Sequence, residues 1–460
     1  MHHPLFDSKV ESFSISGAKV FDRFFECPLD HQNATSSPKI KVFVRHLVPI
    51  DKVADVHKMP FFLYLQGGPG FECALPTSAT SGWTKTALDK GYQVLFLDQR
   101  GTGLSTAVSA ESLEKFESDE EKADYLSHFR ADSIVKDCEI IRKQLTAGRG
   151  EDAESRITLL GQSFGGFCIT TYLSLFPESV QHAYITGGVP PLTDTPDPVY
   201  RALYPRILKK NKLYYKRYPR DVARVRQIHE YLSNNQVTMP NGGTLSPRRF
   251  LQLGLSFGGA GGYDAVHNIV QIAANDLDTI GKLSYRVLNT IDSNQSWDTN
   301  VIYAILHEAI YCQADQASRW SAERLLDEEP FKTDFEWRLE NLKDDQPVYF
   351  TGETIYPFMF DDFAELRPLK KVAHLLAERR WGNLYDVKKL NSIKNVEVSG
   401  VSYFDDMYVD RELSEKTASE INGFQQWITN EYAHNGARVD GERVLTYLMK
   451  LAKGEEAYNR

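Results

Sequence analysis

The sequence contains no run of five or more lysines and arginines, and its formal net charge is −9. A phosphate-backbone partner is held by clustered positive charge, so nucleic acid is not an expected ligand. The first 30 residues interleave Asp, Glu, Lys and Arg with short apolar stretches. They hold neither the apolar segment of a signal peptide nor a membrane span. Cysteine is scarce. Cys27, Cys73, Cys138, Cys168 and Cys312 are scattered without close pairs, unlike a disulfide framework or a zinc cluster. His307-Glu308 opens like a zinc-binding helix, but the residue four beyond the histidine is Tyr311, so no metal site is expected. Together these absences predict a cytoplasmic protein with free thiols and no metal, membrane or nucleic-acid partner.

With 42% hydrophobic and 12% aromatic residues the chain has the means to build a large core. Its 460 residues exceed one compact unit, so a main domain with a sizeable insertion is expected. Short apolar or alternating runs at Ile40 to Val48, Phe61 to Leu65, Val94 to Leu97, Ile157 to Leu160 and Ala183 to Thr186 predict strands. Between the third and fourth, Ile134, Val135, Cys138, Ile141 and Leu145 recur at helical spacing. Such alternation implies parallel βαβ units, whose sites lie beyond the carboxyl ends of the strands.

After Gly187-Gly188-Val189-Pro190-Pro191 the alternation stops, and helical periodicity with many aromatics predicts an inserted cap. The pattern then resumes with a helix near Val372 to Arg380, a strand at Val396 to Phe404 and a helix from Leu413. A strand near Trp427 and a helix from Val444 complete it. The expected organisation is a core at 1–192 and 366–460, split by a helical cap at 193–365.

Gly161-Gln162-Ser163-Phe164-Gly165-Gly166 follows the strand Arg156 to Leu160 and precedes the apolar helical run Phe167 to Phe176. That is the setting of a nucleophile elbow, where a sharp turn from strand into helix presents a serine hydroxyl. A second copy of the pattern, Gly254-Leu255-Ser256-Phe257-Gly258, has neither an incoming apolar strand nor an outgoing helix. Ser163 is therefore the candidate nucleophile and Ser256 the control.

Gln66-Gly67-Gly68-Pro69-Gly70 directly follows a strand, where an oxyanion donor belongs in a fold with such an elbow. A serine nucleophile needs a base, and the chain order of that fold is serine, acid, histidine. Of twelve histidines only His434 lies beyond the strand Val396 to Phe404. Asp405 and Asp406 end that strand, and adjacent side chains point oppositely, so one of the two should face the histidine.

These motifs together resemble the proline iminopeptidase (prolyl aminopeptidase) family, in particular its larger branch of about 50 kDa. The carriers are Gly67-Gly68-Pro69-Gly70, Asp98-Gln99-Arg100-Gly101-Thr102-Gly103-Leu104-Ser105, the elbow, Gly187 to Pro191, and Asp406-Met407-Tyr408-Val409. The resemblance implies an α/β-hydrolase fold, a mostly parallel sheet flanked by helices with an inserted helical cap. It further implies a cofactor-free serine peptidase acting on peptides with a free N-terminal proline. In the family the acid precedes a methionine, which selects Asp406. Ser163, Asp406 and His434 are then the implied triad, and the backbone amides of Gly68 and Phe164 the implied oxyanion donors. Gln66 departs from the pattern, since relatives often carry His there.

The family's selectivity resembles the work of cap carboxylates that hold the substrate's amino terminus. Glu308 and Glu353, each inside an aromatic apolar stretch, match such positions, while helix-surface or core-bridging roles remain open to them. Tyr303, Tyr311, Tyr356 and Phe358 could wall a pyrrolidine ring or form cap core; Tyr356 is the expected substrate contact. Asp98 and Arg100 are expected to support the site structurally. A carboxylesterase or broader aminopeptidase would use the same triad, and a non-catalytic binding protein could retain the fold.

Overall fold

The computed structural model describes residues 10–149 and 152–456. Among them a single sheet holds β1 (Glu11–Ile15), β2 (Ala18–Pro28), β3 (Lys39–Pro49), β4 (Phe61–Leu65), β5 (Gln93–Asp98), β6 (Ile157–Gln162), β7 (Val180–Thr186), β8 (Glu397–Tyr403) and β9 (Gln425–Thr429). Their spatial order is β1-β2-β3-β5-β4-β6-β7-β8-β9. From β5 through β9 every neighbouring pair is parallel, while β1, β2 and β3 are antiparallel and join the rest through β5.

The parallel strands are apolar on both faces because helices cover both. In β4, Phe61, Leu63 and Leu65 belong to one core and Phe62 and Tyr64 to the other, the two-residue alternation of a pleated strand. The helices Gly82–Asp89 and Gly441–Ala452 pack together over the smaller core. Ala131–Leu145 and Phe164–Leu175 cover the opposite face, and their core continues into the segment between β7 and β8. That segment is helical, with Asp197–Arg217, Gly262–Ile280 and Asp221–Asn234 its longest elements.

The sequence reading predicted no strand before residue 40, yet β1 and β2 form an antiparallel edge there. The alternation in β2 is masked because Arg23 is buried, donating to His46 Nδ1 at 3.2 Å, while Phe24 is 57% exposed. Hydrophobicity and burial disagree at both positions, so a pattern search passes over the strand.

Candidate active site

Ser163 stands between β6 and the helix Phe164–Leu175 at φ 54°, ψ −123°, a backbone region that L residues rarely occupy. The surrounding glycines explain how the turn is tolerated. A Cβ on Gly161 would lie 2.4 Å from Gly165 C, one on Gly165 1.9 Å from Leu65 O, and one on Gly188 2.0 Å from Ser163 O. The elbow is thus clamped by backbone on three sides. Its amide donates to Thr186 O at 2.9 Å, tying Ser163 to the end of β7.

The loop after β4 approaches closely, since a Cβ on Gly67 would sit 3.0 Å from Ser163 Cβ. Gly67 and Gly68 face the same cavity as Ser163. Phe164 opens its helix, where the first amides have no intrahelical acceptor. Gln66 braces this loop: its Oε1 accepts from Tyr64 Oη and from Gly67 N, both at 3.0 Å. The departure from histidine therefore leaves the loop supported by a side-chain carbonyl.

Asp406 follows β8 and is 3% exposed. Its Oδ2 accepts from His434 Nδ1 at 2.7 Å, and its Oδ1 accepts from the amides of Tyr408 at 2.8 Å and Val409 at 3.3 Å. The neighbouring Asp405 points outward and pairs with Lys209 at 2.6 Å. His434 is buried, with its ring edge-on to Tyr408 at 4.7 Å between centroids. Gly187, at φ 60°, leaves room for it, because a Cβ there would come within 3.3 Å of His434 Nδ1. Burial opposes charging of the imidazole, but the charge and hydrogen bond of Asp406, aided by Glu353, outweigh it and raise its pKa above the ordinary value.

Ser163 and His434 line one cavity of about 710 Å³, together with Gln66, Gly67, Gly68, Phe71, Tyr303, Glu353 and Tyr408. Glu353 is a half-buried carboxylate in that wall. Tyr303 Oη donates to its Oε1 at 2.5 Å, and burial pushes its carboxyl up to about 7. The segment between β7 and β8 rests directly on the glycine loop, where Asn300 Nδ2 donates to Gly70 O at 3.0 Å.

Two of the expected substrate contacts stand away from this wall. Glu308 Oε1 and Oε2 accept from the amides of Ala322 and Ser321 at 2.9 and 3.2 Å, at the start of the helix Ser321–Leu326. It borders a separate space of only about 10 Å³, and burial raises its carboxyl to about 7. Tyr356 is cap core: its ring stacks on Phe358 and its hydroxyl lies 3.4 Å from that of Tyr204. Neither side chain lines the cavity shared by Ser163 and His434, because apolar surroundings alone do not say which wall a buried polar group faces.

Asp98 and Arg100 serve as braces. Asp98 accepts from the amides of Cys73 and Leu104, both at 2.9 Å, and Arg100 pairs with Asp137 while donating to carbonyls of Pro28, Leu29 and His128. Two further supports of the site, Tyr408 and residues 255–260 around the end of the 3₁₀ helix Gln252–Gly258, have no role expected from the sequence. Tyr408 Oη bonds Leu255 O, His434 N donates to Gly258 O at 3.1 Å, and Ala260 N donates to Asn435 Oδ1 at 3.1 Å. Tyr408 lay in plain view, two residues beyond the acid in a motif already singled out.

Residues 60–351 match the family described as alpha/beta hydrolase fold, the class that this sheet and elbow define. The chain is 43% identical over 441 residues to a proline iminopeptidase of Aeromonas sobria, covering 95% of this chain and 98% of the relative. It is 37% identical over 453 residues to proline iminopeptidase aneH of Aspergillus aculeatus, with the same coverage. A solved proline iminopeptidase of Mycobacterium smegmatis aligns over 94% of this chain and 100% of its own, at 12% identity and a TM-score of 0.38. On the family match and the two longer-range identities, the chain belongs to the proline iminopeptidase family of the alpha/beta hydrolases.

Proposed function

We propose that the protein is a serine exopeptidase that releases proline from the amino terminus of peptides. Ser163 attacks the prolyl carbonyl while His434 takes its proton and Asp406 holds the imidazole in the tautomer required. The amides of Gly68 and Phe164 receive the oxyanion. His434 then protonates the leaving amine, and a water activated by the same residue releases proline. No step calls for a cofactor.

The observation that carries the reading is a half-buried carboxylate, Glu353, in the cavity shared by Ser163 and His434. A triad alone suits an esterase equally well. A half-buried carboxylate beside the nucleophile invites a cation, and the imino terminus of a prolyl substrate supplies one, with charge-assisted hydrogen bonds of roughly 1.5–3 kcal/mol each. Glu308 adds a second negative charge farther off, felt with Glu353 by the hydroxyls of Tyr200 and Tyr311. The five buried, unpaired cysteines support a cytoplasmic location. Among the described residues no helix is long and apolar enough to cross a membrane.

Hydrolysis of Pro-β-naphthylamide, N-acetyl-Pro-β-naphthylamide and p-nitrophenyl acetate tests the reading. The free prolyl amide should turn over and its acetylated form should not. Turnover of the ester without the prolyl amide would assign a carboxylesterase instead.

A further inference from the structure

Besides the Asp406–His434 pair, the cavity involves three charged side chains: Glu353, Glu72 and Arg438. Glu353 is half-buried, whereas Glu72 and Arg438 are exposed at the rim. Arg438 follows His434 by four residues on the short helix Gly436–Val439. Some exposed arginines rest on carboxylates, Arg201 on Glu328, Arg217 on Asp264, Arg380 on Asp315 and Arg443 on Glu431, whereas Arg220, Arg286 and Arg367 rest on none but lie away from this cavity. Among the described residues, no carboxylate lies within 4.0 Å of the Arg438 guanidinium. Its charge faces the cavity mouth uncompensated by a direct partner.

Glu353 and Arg438 both line the cavity with His434 and act on its charge in opposite senses, from different parts of the chain. Glu353 and its donor Tyr303 belong to the cap. Arg438 belongs to the segment after β9, near the loop that carries Gln66 and Glu72, where Tyr64 and Cys73 sense its charge. A peptide whose amino end meets Glu353 and whose first carbonyl meets Ser163 must send its leaving segment toward the mouth. Each residue extends the chain by about 3.5 Å at most, so the terminal carboxylate of a di- or tripeptide stays within roughly 7 Å of the attacked carbonyl, close to the cavity that Arg438 lines. A guanidinium matches that group in both sign and geometry.

Resting on the prolyl aminopeptidase reading, we propose that Arg438 receives the free C-terminal carboxylate of short Pro-Xaa and Pro-Xaa-Xaa peptides, making it a specificity-determining residue for di- and tripeptides. Glu72, on the same rim, repels that carboxylate and moderates the preference.

The test compares kcat/KM for Pro-Gly-Gly and Pro-Gly-Gly-NH2 in the wild-type chain, Arg438→Gln, Arg438→Lys and Glu72→Gln. Wild type should favour the free acid by about threefold to fivefold, the scale of an exposed ion pair. Arg438→Gln should bring the ratio close to one through KM, Arg438→Lys should restore part of it, and Glu72→Gln should enlarge it. Added salt should shrink the wild-type ratio. A wild-type ratio of one, or a ratio unchanged in Arg438→Gln, overturns the proposal while leaving prolyl cleavage intact. Failure to cleave either peptide, or Pro-β-naphthylamide, overturns the underlying reading and this one with it.

Discussion

Residues 161–166 and 254–262 both read as glycine-framed serines, yet they fold for different reasons. At Ser163 the glycines let strand, helix and neighbouring loop close on a residue with positive φ. At Ser256 the chain is a 3₁₀ helix, Gln252–Gly258, and the glycines serve cap packing. A Cβ on Gly254 would meet Thr351 O at 2.1 Å, and one on Gly258 would enter the Tyr408 ring at 2.2 Å. One spacing thus encodes close backbone approach in both places, but only the first puts a hydroxyl on the cavity that His434 also lines. The second segment holds the His434 loop through Gly258 O and the amide of Ala260.

The sharpest way to break that comparison is to remove each hydroxyl. Ser163→Ala should lower kcat on Pro-β-naphthylamide by about 10⁴-fold or more, the scale of losing a triad nucleophile. Ser256→Ala should stay within about twofold, since its hydroxyl has no place in the chemistry. A fluorophosphonate probe should label wild type and Ser256→Ala but not Ser163→Ala. Comparable losses in both variants would undo the distinction drawn here.

The next largest effect separates the two cap glutamates. Glu353→Gln should reduce kcat/KM for prolyl substrates by about 10- to 100-fold, equivalent to one charge-assisted bond, with much less change for a neutral ester. Glu308→Gln should cost less on prolyl substrates, about threefold, and should also lower stability, because its carboxylate satisfies two helix-terminal amides. A loss at Glu308 equal to that at Glu353 would move the ammonium subsite deeper into the cap.

pH dependence reports the same contrast. Glu353 must be ionised to hold the ammonium, so its contribution is present above about 7 and is lost as pH falls through that value. His434 must be neutral to act as base, and its pKa is raised, so its contribution is lost in the same direction. The acid limb of kcat/KM for Pro-β-naphthylamide should approach a two-proton slope. In Glu353→Gln the slope should fall toward one, and the limb should move to lower pH because a charge that favours the imidazolium is gone. A limb left in place would show that Glu353 does not couple to His434.

The sheet-borne half of the site was more legible than the cap for a physical reason. Around Ser163 the residue types are dictated by backbone sterics, and glycine is the only answer where a Cβ would meet a carbonyl at 2 Å. Those positions leave marks in a single sequence. In β4 through β8 the apolar runs are bounded by the turns that carry function, so strands and motifs locate each other. Cap positions have no such grammar: Glu308 and Glu353 both sit among aromatics, and only three-dimensional packing turns one toward Ser163 and the other toward the amides of Ser321 and Ala322. Asp405 and Asp406 illustrate the intermediate case, where strand alternation reduces the choice to two and the family pattern is needed to select one.

The smallest expected effect concerns the cost of the elbow itself. Ser163 carries a Cβ at φ 54°, ψ −123°, a conformation worth of order 1–3 kcal/mol of strain. Ser163→Ala keeps the Cβ and so keeps the strain, whereas Ser163→Gly removes it but adds about 0.5–1 kcal/mol of backbone entropy in the unfolded chain. The strain outweighs the entropy over most of that range, so Ser163→Gly should be the more stable of the two inactive variants by about 1 kcal/mol. The thermal midpoints of the two, measured side by side, decide the matter without reference to activity. No such gain is expected at position 256, where glycine would relieve no positive φ and would simply loosen a helical turn, so Ser256→Gly should melt below Ser256→Ala.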